Sequence, residues 1–249
     1  MYSKTRLAVL ILLLCGVISC EKGDLPFISC DIKQITSYEP VFDGGREPIE
    51  HNFIYNSWGA PVEVSSLKPH TGNPNFRFKY DNRRRLAETI IYYSETNLFT
   101  STRYVYDRNG LIIRDTSFLI FDPRIYALTT YTYDRKLRIS SMKIWRDGQL
   151  LSTTTYNYDS RGNLEMGPFY YYDDKVNILR TNPLWMFLMR DYSMNNRLPT
   201  GYALKLAYNK KGLLTSFHAD DWRAMALAPT FLWYHVHEVV YDCGERRID

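Results

Sequence analysis

The chain lacks the short signatures that announce a reaction. No serine sits in a Gly-x-Ser-x-Gly elbow, no glycine-rich loop is built to cradle phosphate, and no free cysteine stands at a suggestive spacing from a histidine. The sequence therefore gives no support for a nucleophile-elbow hydrolase or a P-loop nucleotide site. Cysteine and histidine are scarce, four and five of 249 residues, which leaves few sets of metal ligands. A dominant charge is lacking as well: 31 Lys and Arg stand against 27 Asp and Glu, a balance that argues against a nucleic-acid partner. The apolar run Leu7 to Leu14 is too short to span a bilayer.

That run has a different use. A short basic opening, Met1 to Arg6, precedes it, and Val17-Ile18-Ser19-Cys20 follows, so the stretch reads as a secretory signal ending in a lipobox. Cys20 is the expected lipidation site, whereas Cys15 follows Leu14 and lacks the small residue such a site needs. Residues 1–19 are then the signal peptide, 20–27 a lipidated tether, and 28–249 a single domain held at the cell envelope, on the periplasmic or the outer face of the outer membrane. Two cysteines remain, Cys30 and Cys243. In an oxidising compartment they could bridge the start of the domain to its end. A meander ordinarily keeps its first and last strands apart, which leaves two buried thiols as the alternative.

What the sequence has in quantity is tyrosine, 21 residues, arranged in a repeat. Tyrosine followed by Asp or Asn returns at Tyr55-Asn56, Tyr80-Asp81, Tyr106-Asp107, Tyr133-Asp134, Tyr158-Asp159, Tyr172-Asp173, Tyr208-Asn209 and Tyr241-Asp242; the first four intervals are 25, 26, 27 and 25 residues. Before each pair, apolar and polar residues alternate, as Phe78 and Tyr80 do against Arg77, Lys79 and Asp81, the two-residue period of a half-buried strand. The acid or amide opens a turn by accepting backbone hydrogen bonds, and Gly59, Gly110, Gly162 and Gly212 supply a positive φ three residues on. Asp147-Gly148, between Trp145 and Leu150, has the composition of a tight reversal between repeats. The expectation is an all-β fold, a coiled antiparallel meander of hairpins forming an elongated curled sheet, with tyrosine rings stacked between repeats.

These pairs resemble the tyrosine-aspartate repeats of the Rhs and teneurin type, and more closely the repeat-bearing lipoproteins of the Bacteroidetes. The resemblance covers roughly residues 50 to 242 and is strongest from Tyr80 to Leu164. It implies a curled sheet but no activity. Two places depart from the pattern: Arg84 replaces the turn glycine, and Tyr133-Asp134-Arg135-Lys136-Leu137 reads as one residue short. After Tyr172 the next pair is 36 residues on, and Asn182-Pro183 opens an apolar stretch that predicts one short helix near residues 183–192, ended by Asn195-Asn196. A similar insertion occurs in the resembling lipoproteins. A helix so apolar must be covered, and plugging the concave face of the sheet is its expected use.

The repeat also breaks between Tyr208 and Tyr241, and tryptophan gathers at the two breaks. Trp185, Trp222 and Trp233, with Tyr234, are the candidate ligand-binding residues for a glycan or an envelope protein. His218, His235 and His237 form the one grouping with a ligand-like spacing, and no metal or other cofactor is expected. Asp173-Asp174 and Asp220-Asp221 supply carboxylates for a rival reading, a polysaccharide-acting enzyme, although neighbours on one strand face opposite ways. No residue is assigned a catalytic role. Asn82-Arg83-Arg84-Arg85 is a basic hairpin tip able to meet phosphate headgroups or an anionic polysaccharide. The reading is a membrane-anchored binding or scaffolding module, with a purely structural spacer as a third possibility.

Overall fold

The structure, a computed structural model, describes residues 28–40, 46–67, 74–94, 96–122, 126–219 and 236–244. Ten strands follow one another as a meander: β1 (Asp31–Pro40), β2 (Arg46–Tyr55), β3 (Pro61–Ser66), β4 (Asn75–Tyr80), β5 (Leu86–Ser94), β6 (Asn97–Tyr106), β7 (Ile112–Leu119), β8 (Tyr126–Tyr133), β9 (Ile139–Arg146) and β10 (Gln149–Thr155). The chain then leaves the sheet through β11 (Tyr170–Val176), a 3-10 turn (Ile178–Thr181), α1 (Pro183–Met189) and β12 (Asn195–Pro199). It rejoins as β13 (Leu204–Tyr208), β14 (Leu214–Ala219) and β15 (Val236–Asp242). β15 docks against β1, so the thirteen-stranded antiparallel sheet runs β10 through β1 and on to β15, β14 and β13, while β11 and β12 form a separate pair.

The sheet is open, but it is not flat. Trp185 of α1 meets Phe53 on β2 and Phe78 on β4 with ring centroids 5.5 and 5.8 Å apart. Phe187, two residues on, meets Tyr104 on β6 and Tyr131 on β8 at 5.8 and 5.4 Å. From β2 to β8 a flat sheet would extend about 29 Å, whereas two helical residues rise about 3 Å. Four alternate strands can reach the same two rings only if the sheet curls around the helix. Trp185 is 0% exposed, and Ile32, Ile35, Phe53, Val64, Phe78, Ile112, Ile139, Met186 and Val239 share its cluster. The helix is thus the filling of the concave face, as its all-round apolar composition required.

Six of the tyrosine-Asx pairs build one rim of the sheet. In each turn the Asx oxygen takes the backbone amide four residues on: Asn56 from Ala60, Asp81 from Arg85, Asp107 from Leu111, Asp134 from Arg138, Asp159 from Asn163 and Asn209 from Leu213, at 2.8–3.0 Å. The residue before that amide has positive φ, and it is Arg84 or Leu137 in two turns. The turn at Asp134 is therefore not short: Leu137 occupies the glycine position, and Asp134 N donates to Arg138 O at 2.9 Å as in its sister turns. A left-handed Cβ costs about 1–2 kcal/mol. Both glycine-less turns carry an extra clasp in which Arg85 and Arg138 grip the Oδ2 of Asp81 and Asp134 through Nε and Nη2, at 2.7–2.9 Å. The same two guanidinium groups lie over the Tyr106 and Tyr158 rings of the following repeat, 4.5 and 3.8 Å from their centroids.

The tyrosine hydroxyls join the repeats. Five residues after each Asx, the carbonyl oxygen accepts a hydrogen bond from the tyrosine of the next repeat. Tyr80 donates to Pro61, Tyr106 to Leu86, Tyr133 to Ile112, Tyr158 to Ile139, Tyr172 to Leu164 and Tyr241 to Leu214, at 2.6–3.2 Å. Ring stacking was the expected joint; the hydroxyl is the observed one. Tyr172-Asp173 is not a turn at all but lies within β11, where Asp173 Oδ1 takes the amides of Lys175 and Asn196. Asp147 and Gly148 both have positive φ, as a two-residue hairpin turn requires.

Removing one joint, by Tyr106→Phe or Tyr133→Phe, should cost about 1 kcal/mol in urea titration. Asp107→Ala, which strands two amides, should cost about 1–2 kcal/mol. Tyr126→Phe, on an exposed ring, should stay within about 0.5 kcal/mol of the parent.

Candidate functional site

Because consecutive strands are antiparallel, all six Asx turns fall at one end of the sheet. At this end lies a cleft of about 870 Å³. One wall is made by four successive turns, through Trp58, Arg84, Gly110, Leu111, Lys136 and Leu137, and by the tyrosines that staple them, Tyr80, Tyr106 and Tyr133. The other wall is the helical insert, through Asn182, Pro183, Leu184, Met186, Phe187 and Tyr192.

The insert is pinned at both ends. Asn182 caps α1 by accepting from Leu184 N at 3.0 Å, and its Nδ2 reaches Gly59 O in the first turn at 3.4 Å. At the other end Arg190 takes φ 54° and its backbone amide closes on the Met186 and Phe187 carbonyls. Arg190, not Asn195-Asn196, therefore ends the helix, and those asparagines open β12. The Arg190 guanidinium donates to Phe187 O and to the Tyr131 hydroxyl, which in turn donates to the Asp115 carboxylate. Asp115 is 2% exposed, and burial pushes its carboxyl above the usual carboxylate range against the pull of Tyr131 and Arg190. A cation at a helix C-terminus is favoured by the helix dipole. Here it also fastens α1 to β7 and β8.

Behind α1 a polar clasp ties the insert to the rest of the chain. Asn163 and Asn195 exchange hydrogen bonds at 3.0 and 2.9 Å, and Asn195 Nδ2 reaches Lys175 O at 3.0 Å. Asp173 Oδ2 accepts from Asn196 Nδ2 and from the Tyr208 hydroxyl at 2.9 and 2.7 Å. With every oxygen engaged, Asp173 is a structural carboxylate.

Within the cleft the lining is chiefly aromatic and aliphatic. Among the described residues its charged side chains are Arg84 and Lys136, and no carboxylate lines it. Trp58 stands edge-on to Tyr80 with centroids 5.1 Å apart, and Arg84 lies 5.4 Å from the Trp58 ring centre. Burial raises the pKa of Tyr80 and Tyr133, and pushes that of Tyr106 up to about 12. The hydroxyls stay protonated, remain donors to their carbonyls, and turn only ring faces and edges to a ligand.

The residues singled out in the sequence fall elsewhere. Trp185 is wholly enclosed between α1 and the sheet and presents no stacking surface, so its role is packing. Trp222, Trp233, Tyr234, His235 and Cys20 lie outside the described residues. His218 is exposed on β14 opposite Lys205, and His237 lies on β15; among the described residues no three ligating side chains converge. Cys30 and Cys243 are joined, S–S 2.09 Å. The expectation that first and last strands stay apart is corrected by β15, whose Asp242 stands opposite Asp31 of β1. Trp58 was missed. Its position inside the first turn, beside the glycine that takes positive φ, was the available signal.

No family model matches the chain, and no curated protein does. Among solved structures it is similar to a porin-like protein from Bacteroides uniformis, at 14% identity over 78% of this chain and 90% of that one, with a TM-score of 0.48. A Photorhabdus luminescens Tc holotoxin pore aligns over 77% of this chain and 9% of that one, with 14% identity and a TM-score of 0.22. TcdB2-TccC3-TEV aligns over 76% and 11%, with the same identity and TM-score. This chain thus spans about a tenth of the two toxin chains.

The disulfide closes a loop of 213 residues, for which the chain-entropy account gives on the order of 5 kcal/mol. Cys30→Ser with Cys243→Ser should lower stability by several kcal/mol in denaturant titration, and reduction of the parent by dithiothreitol should reproduce the loss.

Proposed function

We propose that the chain is an exported, membrane-anchored binding module whose ligand seat is the cleft at the turn end, and that the ligand is an amphiphile with an apolar body and an anionic head. The observation that carries this reading is the lining itself: about 870 Å³ walled by aromatic and aliphatic side chains, with Arg84 and Lys136 as its charges. Preformed, largely apolar pockets with a few placed polar groups are the usual form of small-ligand sites. A neutral glycan is a poorer fit, because Asn182, the one side-chain amide of the lining among the described residues, is already capping α1. Cleavage of a glycoside needs two carboxyls in the cleft, and among the described residues the lining supplies none. The lipobox at Cys20 and the repeat's resemblance to envelope lipoproteins support placement at the outer membrane.

Laurate and its methyl ester are suitable probes for calorimetric titration of the full chain. Laurate should bind saturably, one per chain. Arg84→Gln with Lys136→Gln should weaken laurate about ten-fold while leaving the ester unchanged, and Leu184→Trp, which fills the cleft, should abolish both. Saturable binding indifferent to all three substitutions, or no saturable binding, would overturn the assignment.

A further inference from the structure

We propose that the turn end as a whole is a footing for an anionic lipid surface, on which the module stands through cations outside the cleft. The charge distribution is the first ground. The six turns, residues 56–60, 81–85, 107–111, 134–138, 159–163 and 209–213, hold ten Lys and Arg and four Asp, a net +6; the whole chain is +4, so the remaining residues together are −2. Among the described residues the six turns thus carry a net positive charge at one end of the sheet, where the acids Asp31 and Asp242 also lie, Asp242 facing Lys33 at 3.5 Å. The four aspartates each accept backbone amides of their own turn at Oδ1. Arg83, Arg108, Arg135 and Lys210 are exposed at the hairpin tips and form no ion pair among the described residues. Leu137, held at a tip by the Asp134 turn, is 59% exposed between them.

The second ground is where the chain enters the fold. β1 runs antiparallel to β2, which ends in the first Asx turn, so β1 begins at the turn end, and the Cys30–Cys243 bond lies there too. Lys211 of the last turn reaches the carbonyls of Ser29 and Cys243 at 3.5 and 3.4 Å. Seven residues lie between Cys20 and Ile28, and the eight Cα–Cα steps fully extended reach about 28 Å. An acyl anchor on Cys20 would hold this end, and not the opposite one, near the bilayer. Cations near an anionic leaflet are attracted to it over about a Debye length, some 8 Å at physiological salt. Cations set on the tips of separate hairpins form a platform rather than a groove, which suits a surface better than a single polyanionic strand.

This reading stands apart from the cleft, since Arg83, Arg108, Arg135 and Lys210 do not line it. The test is co-sedimentation of the full chain with vesicles of phosphatidylcholine alone or mixed with phosphatidylglycerol. The parent should bind the mixed vesicles more than ten-fold better, and raised salt should remove that preference. Arg83→Glu with Arg108→Glu and Arg135→Glu should lose the preference while matching the parent on phosphatidylcholine and retaining laurate binding. Lys143→Glu with Arg146→Glu and Lys205→Glu, exposed residues away from the turns, should keep it. Glutamine at the three turn positions provides a second variant if glutamate impairs folding, as read by melting temperature. An unchanged preference in the turn variants or an equal loss in the control would overturn the lipid assignment.

Discussion

A single sheet of thirteen strands has an apolar face to bury, and among the described residues the only other sheet is the two-stranded β11–β12 pair; this constraint governs the molecule. The solution is to curl around seven residues of helix. Trp185 and Phe187 put the rings of β2, β4, β6 and β8 within one cluster, so the sheet's curvature and the helix's position are set by the same contacts. Burying a tryptophan or phenylalanine in a preformed concavity yields several kcal/mol of transfer and packing energy. The helix alone is too short to be stable in water. Each element depends on the other, and the polar ties from Asn182 to the first turn and from Arg190 to Tyr131 and Asp115 fix where along the groove the helix lies.

The repeat is what lets the sheet grow while keeping that curvature. Each Asx turn ends one up-strand, and the carbonyl five residues later is taken by the next repeat's tyrosine. The hydroxyl and the ring do different jobs: the ring adds to the concave core, and the hydroxyl sets the lateral register of adjacent hairpins. Tyrosine is required for both at once, since phenylalanine has no donor. The two turns without glycine show how strain is tolerated, because Arg85 and Arg138 clasp the turn aspartate and cover the neighbouring tyrosine.

Strands, turns and the helix were legible because each rests on local rules: alternation in Asn75–Tyr80, an Asx oxygen at Asp107, a cap at Asn182 followed by Pro183. The helix end was misjudged because Arg190 takes a left-handed φ that its residue type does not advertise. Docking of β15 beside β1, and hence the disulfide, is a matter of chain return over some two hundred residues, on which periodicity is silent. The cleft was hidden for a similar reason. Trp58, Arg84, Lys136 and Leu184 belong to four distant segments, and only the curl brings them to one wall or its opposite. Tryptophans at the breaks in the repeat drew attention instead, and Trp185 proved to be the centre of the core.

Whether α1 is the core of the sheet rather than an ornament on it can be measured by equilibrium unfolding of Trp185→Ala followed by amide hydrogen exchange. A core helix gives a loss of about 3–5 kcal/mol, with protection falling together in β2, β4, β6 and β8. A loss below about 1 kcal/mol, with exchange altered only within residues 178–192, would contradict it.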